Sequence, residues 1–540
     1  MNQFWVKNYE ELNDFEKVKL VNDGLDIVKK IPEYKKSGFK AINTNERTLL
    51  KWAGVNVQKP REAGYFLMRV KIPSGVINSE QARVLANIAK DYGRERLDLT
   101  TRQAVQFHWL TIETIPIVMD ILNKVQLQTI GAEGDCPRTV TGNPLAGIDP
   151  NETIDTRGIV QEVTEYFQGN REFSNLPRKF KLSISANMYN AGHAQINDLA
   201  FTPAMKNYGT REIYGFHVYV GGGLSAKPHI AQKLNLFVHP HEVLKVSIAV
   251  ATLFRDHGYR KNRRHARLKF LVADWGREKF ETELLMLTGP LETEGIDLTR
   301  GWNAGYYYGV HAQKQPLLSY VGLSVPLGRL TPEDLIEIAE CADRYGDGSL
   351  RVCPTKNLVL ANIPTEKIEA LLEEKVIKRF SPNPQPFVGY TVSCSGKEFC
   401  NLALVETKAF ALKLSQTLAE KVEVDTPLRI HVTGCPNSCG HLQIADIGLK
   451  GTLGKLNGQT VEKFELSIGG SLGINAGFAT ALQGAIPAEM VEEVLECFIR
   501  FYKNSRFPQE SFYDFVSRFG IGTFQNLLAP FVDTLRLAGK

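Results

Sequence analysis

A chain of 540 residues is too long for a single core and calls for two to four domains or lobes. With 43% hydrophobic and 23% charged residues it has the composition of an ordinary folded protein, which excludes disordered and collagen-like chains. A formal charge of +5, from 64 basic against 59 acidic side chains, is too slight to mark a nucleic-acid binder. The opening residues lack the basic start and apolar core of a secretory signal, and no apolar run is long enough to span a bilayer. A cytoplasmic protein without membrane contact is therefore expected.

In chain order, residues 1–60 mix charged, helix-favouring segments and read as an N-terminal arm packed on the body, without chemistry of its own. A repeat follows. Arg69 to Val105 matches Gly322 to Leu358 at a constant offset of 253 residues, so that Pro73, Gly75, Glu80, Ala86, Tyr92 and Leu97 meet Pro326, Gly328, Glu333, Ala339, Tyr345 and Leu350. Each copy predicts a strand (66–72; 323–325), a Pro-x-Gly turn, a helix and a second strand (97–100; 350–352). Asn78-Ser-Glu and Thr331-Pro-Glu-Asp carry the cap chemistry that starts the two helices. The fold class is α+β with pseudo-two-fold duplication. Half-domains are expected at 61–130 and 318–386, each followed by an α/β lobe, at 131–317 and 387–540.

Within the first lobe, Lys261-Asn-Arg-Arg-His-Ala-Arg-Leu-Lys269 is strongly basic, and reads either as a solvated helix face or as an anion-binding segment. The second lobe holds Cys394-Ser-Gly-Lys-Glu-Phe-Cys400 and, further on, Cys435-Pro-Asn-Ser-Cys439. Four thiolates grouped in pairs suit zinc or an iron–sulfur cubane. Zinc knuckles usually leave two residues between paired cysteines, whereas here five and three intervene among Gly and Pro. A bulkier cluster, with backbone N–H groups aimed at its sulfides, is the preferred reading over zinc or unrelated buried thiols. Of the other cysteines, Cys341, Cys353 and Cys497 sit in apolar contexts and read as small core residues.

At these residues the chain resembles the siroheme-containing sulfite and nitrite reductases, over roughly residues 45–500. Further segments agree in order: Leu99-Thr-Thr-Arg-Gln-Ala-Val-Gln-Phe-His108, Gly134-Asp-Cys-Pro-Arg138, Gly142-Asn-Pro-Leu-Ala-Gly147, Leu176-Pro-Arg-Lys-Phe-Lys181 and Ala445-Asp-Ile-Gly448. The resemblance implies ferredoxin-like half-domains with two siroheme-flanking lobes. It also implies a 4Fe–4S cluster on Cys394, Cys400, Cys435 and Cys439, with Cys439 shared with the siroheme iron. By the same resemblance Arg102, Arg138, Lys179 and Lys181 face the anionic substrate and help deliver protons, as a small anion leaving water requires fixed positive charge. Siroheme carries eight carboxylates in this family, so Gln106, His108, Arg264, Arg267 and Lys269 become candidate partners for it. A single helix would present the last three to one side.

Lys-x-Lys at 179–181 favours the more highly charged sulfite over nitrite. The Gly134–Arg138 segment is similar to that of bacterial ferredoxin-dependent sulfite reductases, a subgroup in which a Tyr–Cys bond is described. Tyr65 and Cys136 are the matching residues here. The Gly142–Gly147 segment is shared with nitrite reductases and points the other way. Six-electron reduction of sulfite to sulfide is the leading expectation. Assimilatory nitrite reduction to ammonia is the alternative, and a non-catalytic iron–sulfur carrier a more remote one. No flavin or nicotinamide fingerprint is present, since Gly221-Gly-Gly-Leu lacks the required spacing, so a reduced ferredoxin or similar small donor is expected. By resemblance the chain is expected to be a monomer.

Overall fold

The computed structural model describes residues 9–303, 305 and 307–538, so the opening of the predicted arm, residues 1–8, lies outside the described residues. The chain forms two compact units. One takes in the chain up to Gly223 together with His229–Gly322 and Arg329–Arg379. The other comprises Leu224–Pro228, Leu323–Gly328 and everything from Phe380 onward.

In the first unit the duplicated segments build two five-stranded sheets. One runs Val55–Val57, Phe66–Val70, Val105–Leu110, Leu97–Leu99, Arg329–Leu330. The other runs Gly309–Ala312, Leu318–Leu323, Leu358–Pro364, Ser349–Val352, Val76–Asn78. The final strand of each sheet comes from the other copy, so the halves exchange strands reciprocally. Arg329 and Leu330 pair with Asp98 and Leu97, and Val76 and Ile77 pair with Arg351 and Leu350. Helices Ser79–Tyr92 and Pro332–Tyr345 each open on a capping box, Asn78 with Gln81 and Thr331 with Asp334, which satisfies backbone donors the first turn leaves open. The turn before each exchanged strand needs glycine. Gly75 has φ of 76°, and a Cβ there would lie 2.0 Å from the Val352 carbonyl oxygen. The second copy's strand is Leu318–Leu323, five residues upstream of the 323 start predicted from the Pro-x-Gly turn. Residues 324–325 run on into the turn instead, where Ser324 N–H donates to the Phe380 carbonyl.

The flanking lobes are themselves duplicated, which sequence reading did not reveal. In the first unit, Thr141–Gly142, Leu182–Ile184, Leu199–Tyr208, Arg211–Val220 and Gln232–Val238 lie side by side. In the second, Thr391–Ser393, Ile430–Thr433, Ile447–Leu456, Gln459–Ile468 and Thr480–Pro487 repeat that order with the same parallel and antiparallel pairings. Leu182 pairs with Leu199 and Leu199 with Val220; 248 residues later Ile430 pairs with Ile447 and Ile447 with Ile468. The offset holds through helices Val243–His257 and Val491–Ser505. Each lobe packs its own apolar core, around Phe180, Phe201, Phe216 and Phe254 in one and Phe464, Phe498, Phe512 and Phe515 in the other. No described helix is long and apolar enough to cross a membrane.

Candidate functional site

The first unit gathers cations. Two motifs that lie far apart in sequence are laced together by backbone pairing: Arg138 N–H donates to the Phe180 carbonyl at 2.9 Å and Phe180 N–H to the Cys136 carbonyl at 3.1 Å. Behind them is a buried charge cluster. Asp135 accepts from Arg263 at 2.8 Å, from Arg178 at 3.3 Å and from Lys19 at 3.3 Å, while Glu16 takes Lys19 and Arg260, each at 2.6 Å. Those neighbouring cations hold the Asp135 carboxyl well below the usual range against the opposing effect of its burial. The arm thus contributes Glu16 and Lys19 to the support of the loop that carries Arg138, and Trp52 braces the same loop by packing on Gly134 while its indole N–H donates to Ser174 at 2.6 Å.

On the other side of that loop the positive charges crowd. Arg138 is wrapped by carbonyls of its own segment, Ala132 at 2.9 Å and Gly134 at 2.7 Å. Arg102 donates to Asn197, Thr139 and Leu182. Burial first, and then Arg138, press its pKa down to about 9. Lys181 is depressed further by burial together with Lys179, Arg102 and Arg267, with Asp198 opposing. Lys71, whose ammonium donates to Gln168 at 2.6 Å, and Lys269 are each brought to about 8, chiefly by burial. Arg69 belongs to this group and sequence reasoning missed it. Its charge acts on both Arg102 and Arg138, and it is held by Glu133 at 3.2 Å and Gln106 at 2.8 Å. A lone arginine in a strand has no spacing signal. Among the described residues, the sheltered Nε donors of Arg69 and Arg102 find no hydrogen-bond partner.

Two expectations are corrected here. The basic run does not form one helix. Arg263–His265 is a short 3-10 turn capped by Asn262, and the helix begins only at Leu268 because Arg267 is extended at φ −77°, ψ 151°. Arg264 therefore stands exposed, while Arg267 pairs with Asp198 at 2.7 Å and the Lys269 ammonium lies 3.4 Å from the Gly223 carbonyl. His108 is fully buried between Asp98 and Gln106, each at 3.2 Å, with Arg329 also on Asp98 at 2.9 Å. It serves that internal network rather than facing a ligand. No described contact joins Tyr65 to Cys136: the Tyr65 ring lies under the Arg94 guanidinium at 4.8 Å, and the Cys136 thiol lies 3.2 Å from the Glu133 carbonyl oxygen.

The second unit brings Cys394, Cys400, Cys435 and Cys439 into mutual electrostatic influence. Burial raises the first three thiols, Cys435 to about 11, so protons must be displaced by a cationic centre for the sulfurs to act as ligands. Backbone N–H groups point at the sulfurs: Gly434 and Gly396 at Cys394, Leu402 and Ala403 at Cys400, Asn437 at Cys435. Cys439 is exposed, unlike the other three. Among the described residues no trio of His, Cys, Asp or Glu is drawn in tightly enough for a single metal ion. A cubane, with each thiolate on a different iron, needs such a wider ring.

Two family profiles match the chain, each in two segments. The nitrite and sulphite reductase 4Fe-4S domain matches residues 133–289 and 386–531, and the nitrite/sulfite reductase ferredoxin-like half domain matches 58–125 and 311–374. The chain belongs to the nitrite/sulfite reductase family. Members of this family include the ferredoxin–nitrite reductase of Synechococcus elongatus, 41% identical over 90% of this chain and 96% of the relative. The assimilatory ferredoxin-dependent nitrite reductase of Haloferax mediterranei is 35% identical over 90% of this chain and 88% of the relative. The structure of Mycobacterium tuberculosis NirA superposes with a TM-score of 0.90 at 32% identity, covering 97% of this chain and 100% of that one.

The family's cofactors are siroheme and a 4Fe–4S cluster, and the donor sets of this chain suit both. Amide-lined thiols match the cluster. A crowd of cations at raised electrostatic cost, two with unmatched donors, matches a polycarboxylate and a small anion. The expectation of sulfite as substrate is overturned, because relatives spanning nine-tenths of the chain are nitrite reductases by name. The physical reason lies at Lys181. Lys179 and Lys181 do not supply two full charges, because burial and the neighbouring cations disfavour the protonated form of Lys181.

Proposed function

We propose that this chain reduces nitrite to ammonia with electrons from a reduced ferredoxin. The observation that carries this is the 41% identity, across nearly the whole of both chains, to a ferredoxin–nitrite reductase. When bound, siroheme and the cluster supply an iron for the nitrogen atom and a relay for single electrons. The chain's own residues do the rest. Arg69, Arg138 and Lys179 supply positive charge that offsets the desolvation of the anion. Lys181, whose pKa is lowered by burial and by the neighbouring cations, is placed to give up a proton and recover it. Arg102, Arg267 and Lys269 would hold siroheme carboxylates, Gln106 orients Arg69, and Cys394, Cys400, Cys435 and Cys439 would hold the iron–sulfur cluster. The test compares kcat/KM for nitrite and sulfite with one reduced ferredoxin and ammonium as the nitrite product. Nitrite is expected to be preferred; a preference for sulfite refutes the proposal.

A further inference from the structure

The duplicated lobes can be aligned strand by strand, and the alignment passes through the cysteines. Thr141 pairs with Ser183 as Val392 pairs with His431, so the strand leading into the first cysteine pair has its counterpart at Thr141–Gly142. With the 248-residue register of the following strands, the positions of Cys394, Cys400, Cys435 and Cys439 fall on Asn143, Asp149, Asn187 and Ala191. The loop backbones agree. Cys400 N–H donates to the Gly396 carbonyl and Asp149 N–H to that of Leu145; Ser438 and His441 take left-handed φ of 54° and 63°, and Asn190 and His193 take 54° and 52°. In both lobes the residue after the fourth position begins Gly-His-x-Gln-Ile-x-Asp.

The side chains agree as well. Each of the first three cysteines accepts an N–H from the residue two positions on: Gly396, Leu402 and Asn437. Asn143 Oδ1 accepts from Leu145 N–H at 3.0 Å, Asp149 Oδ1 from Asn151 at 2.8 Å and Asn187 Oδ1 from Tyr189 at 2.7 Å. The ring that a cluster would close is closed instead by hydrogen bonds, because Asn143 and Asn187 both donate to Asp149 Oδ2, at 2.7 and 2.6 Å. All three side chains are buried. Beyond Ala191 the apolar cluster of Leu145, Ile148, Tyr307, Tyr320, Cys353 and Val359 fills the space. Val359 stands where the first half-domain has Gln106, 253 residues earlier.

We propose that the first lobe retains the frame of a second 4Fe–4S site, in which the Asn143–Asp149–Asn187 triad replaces the cluster and locks the same three loops without metal. This goes beyond the nitrite reading and does not depend on it. The test is a chain carrying Asn143→Cys, Asp149→Cys, Asn187→Cys and Ala191→Cys, reconstituted anaerobically with ferrous iron and sulfide beside the unmodified chain. A gain of about four irons and four sulfides per chain, with a second cluster signal in electron paramagnetic resonance, is expected. A folded variant that gains no iron, or one iron without sulfide, overturns the proposal. A second measurement uses the holoenzyme with Asn143→Ala, Asn187→Ala and both. Each single change should lower Tm by about 3 °C, leaving cofactor absorbance intact, with the double change falling short of their sum because both bonds end on one oxygen. Additive shifts, or loss of cofactor absorbance, count against the triad as a closed lock.

Discussion

Lys181 and Arg429 hold the same station in two lobes built on one plan, and they do different work. Each donates its backbone N–H, at 2.8 Å, to the aspartate seventeen residues on, Asp198 and Asp446. In the second lobe Arg429 also supplies that aspartate with its guanidinium, at 2.5 and 2.9 Å. In the first lobe the ion pair is delegated to Arg267, which comes from a distant segment. The lysine side chain is thereby released from structural duty and joins the crowd of cations. Duplication supplies two frames, and reassigning one salt bridge turns a structural position into a chemical one.

The sharpest way to break this comparison is at the cluster frames. Cys435→Ser should abolish nitrite reduction and the cluster absorbance, whereas Asn187→Ser, its counterpart, should leave both and cost about 1–3 kcal/mol of stability; spectra and melting curves of the two variants decide. Next in size, Lys181→Ala should lower kcat/KM for nitrite by about 10²-fold with Tm nearly unchanged. Arg429→Ala should do the reverse, leaving Asp446 without its guanidinium and costing about 3 kcal/mol by denaturant unfolding. Lys19→Met should cost about 2 kcal/mol, less than a lone buried pair, because Asp135 keeps Arg178 and Arg263.

The smallest effect is a pH dependence confined to the first unit, since position 71 is lysine in one half-domain and Ser324 in the other. Burial holds Lys71 and Lys269 near 8 in the folded chain, so above that pH they release protons that the unfolded chain keeps until above 10. The stability of cofactor-stripped protein should therefore rise modestly between pH 8 and 10. Melting curves across that range check it, and the loaded enzyme, whose carboxylates favour the ammonium forms, should show a weaker rise.

The duplicated half-domains were legible because their glycines, prolines and small helix residues recur as letters at one spacing. The lobe duplication was not. Its two frames keep hydrophobic pattern and backbone geometry but exchange cysteine for asparagine, aspartate and alanine, and the shared Gly-His-x-Gln-Ile-x-Asp is short enough to pass unnoticed. The cysteine pairs declared their chemistry by spacing alone. Arg69 could not, having no motif around it, and His108 misled because a motif histidine serves a buried aspartate here. The basic run misled through local backbone: an Asn262-capped turn and an extended Arg267 interrupt what composition reads as a helix.

The reciprocal strand exchange has a consequence for how the chain is made. The first half-domain's sheet is completed by Arg329–Leu330, so its edge at Leu97–Leu99 has no partner until some 230 further residues have left the ribosome. The second sheet in turn waits on Val76–Asn78, made long before. Each half's sheet is completed only by the other, so synthesis passes through a long interval with an open strand edge, the stage at which this chain is most exposed to mispairing and to chaperones.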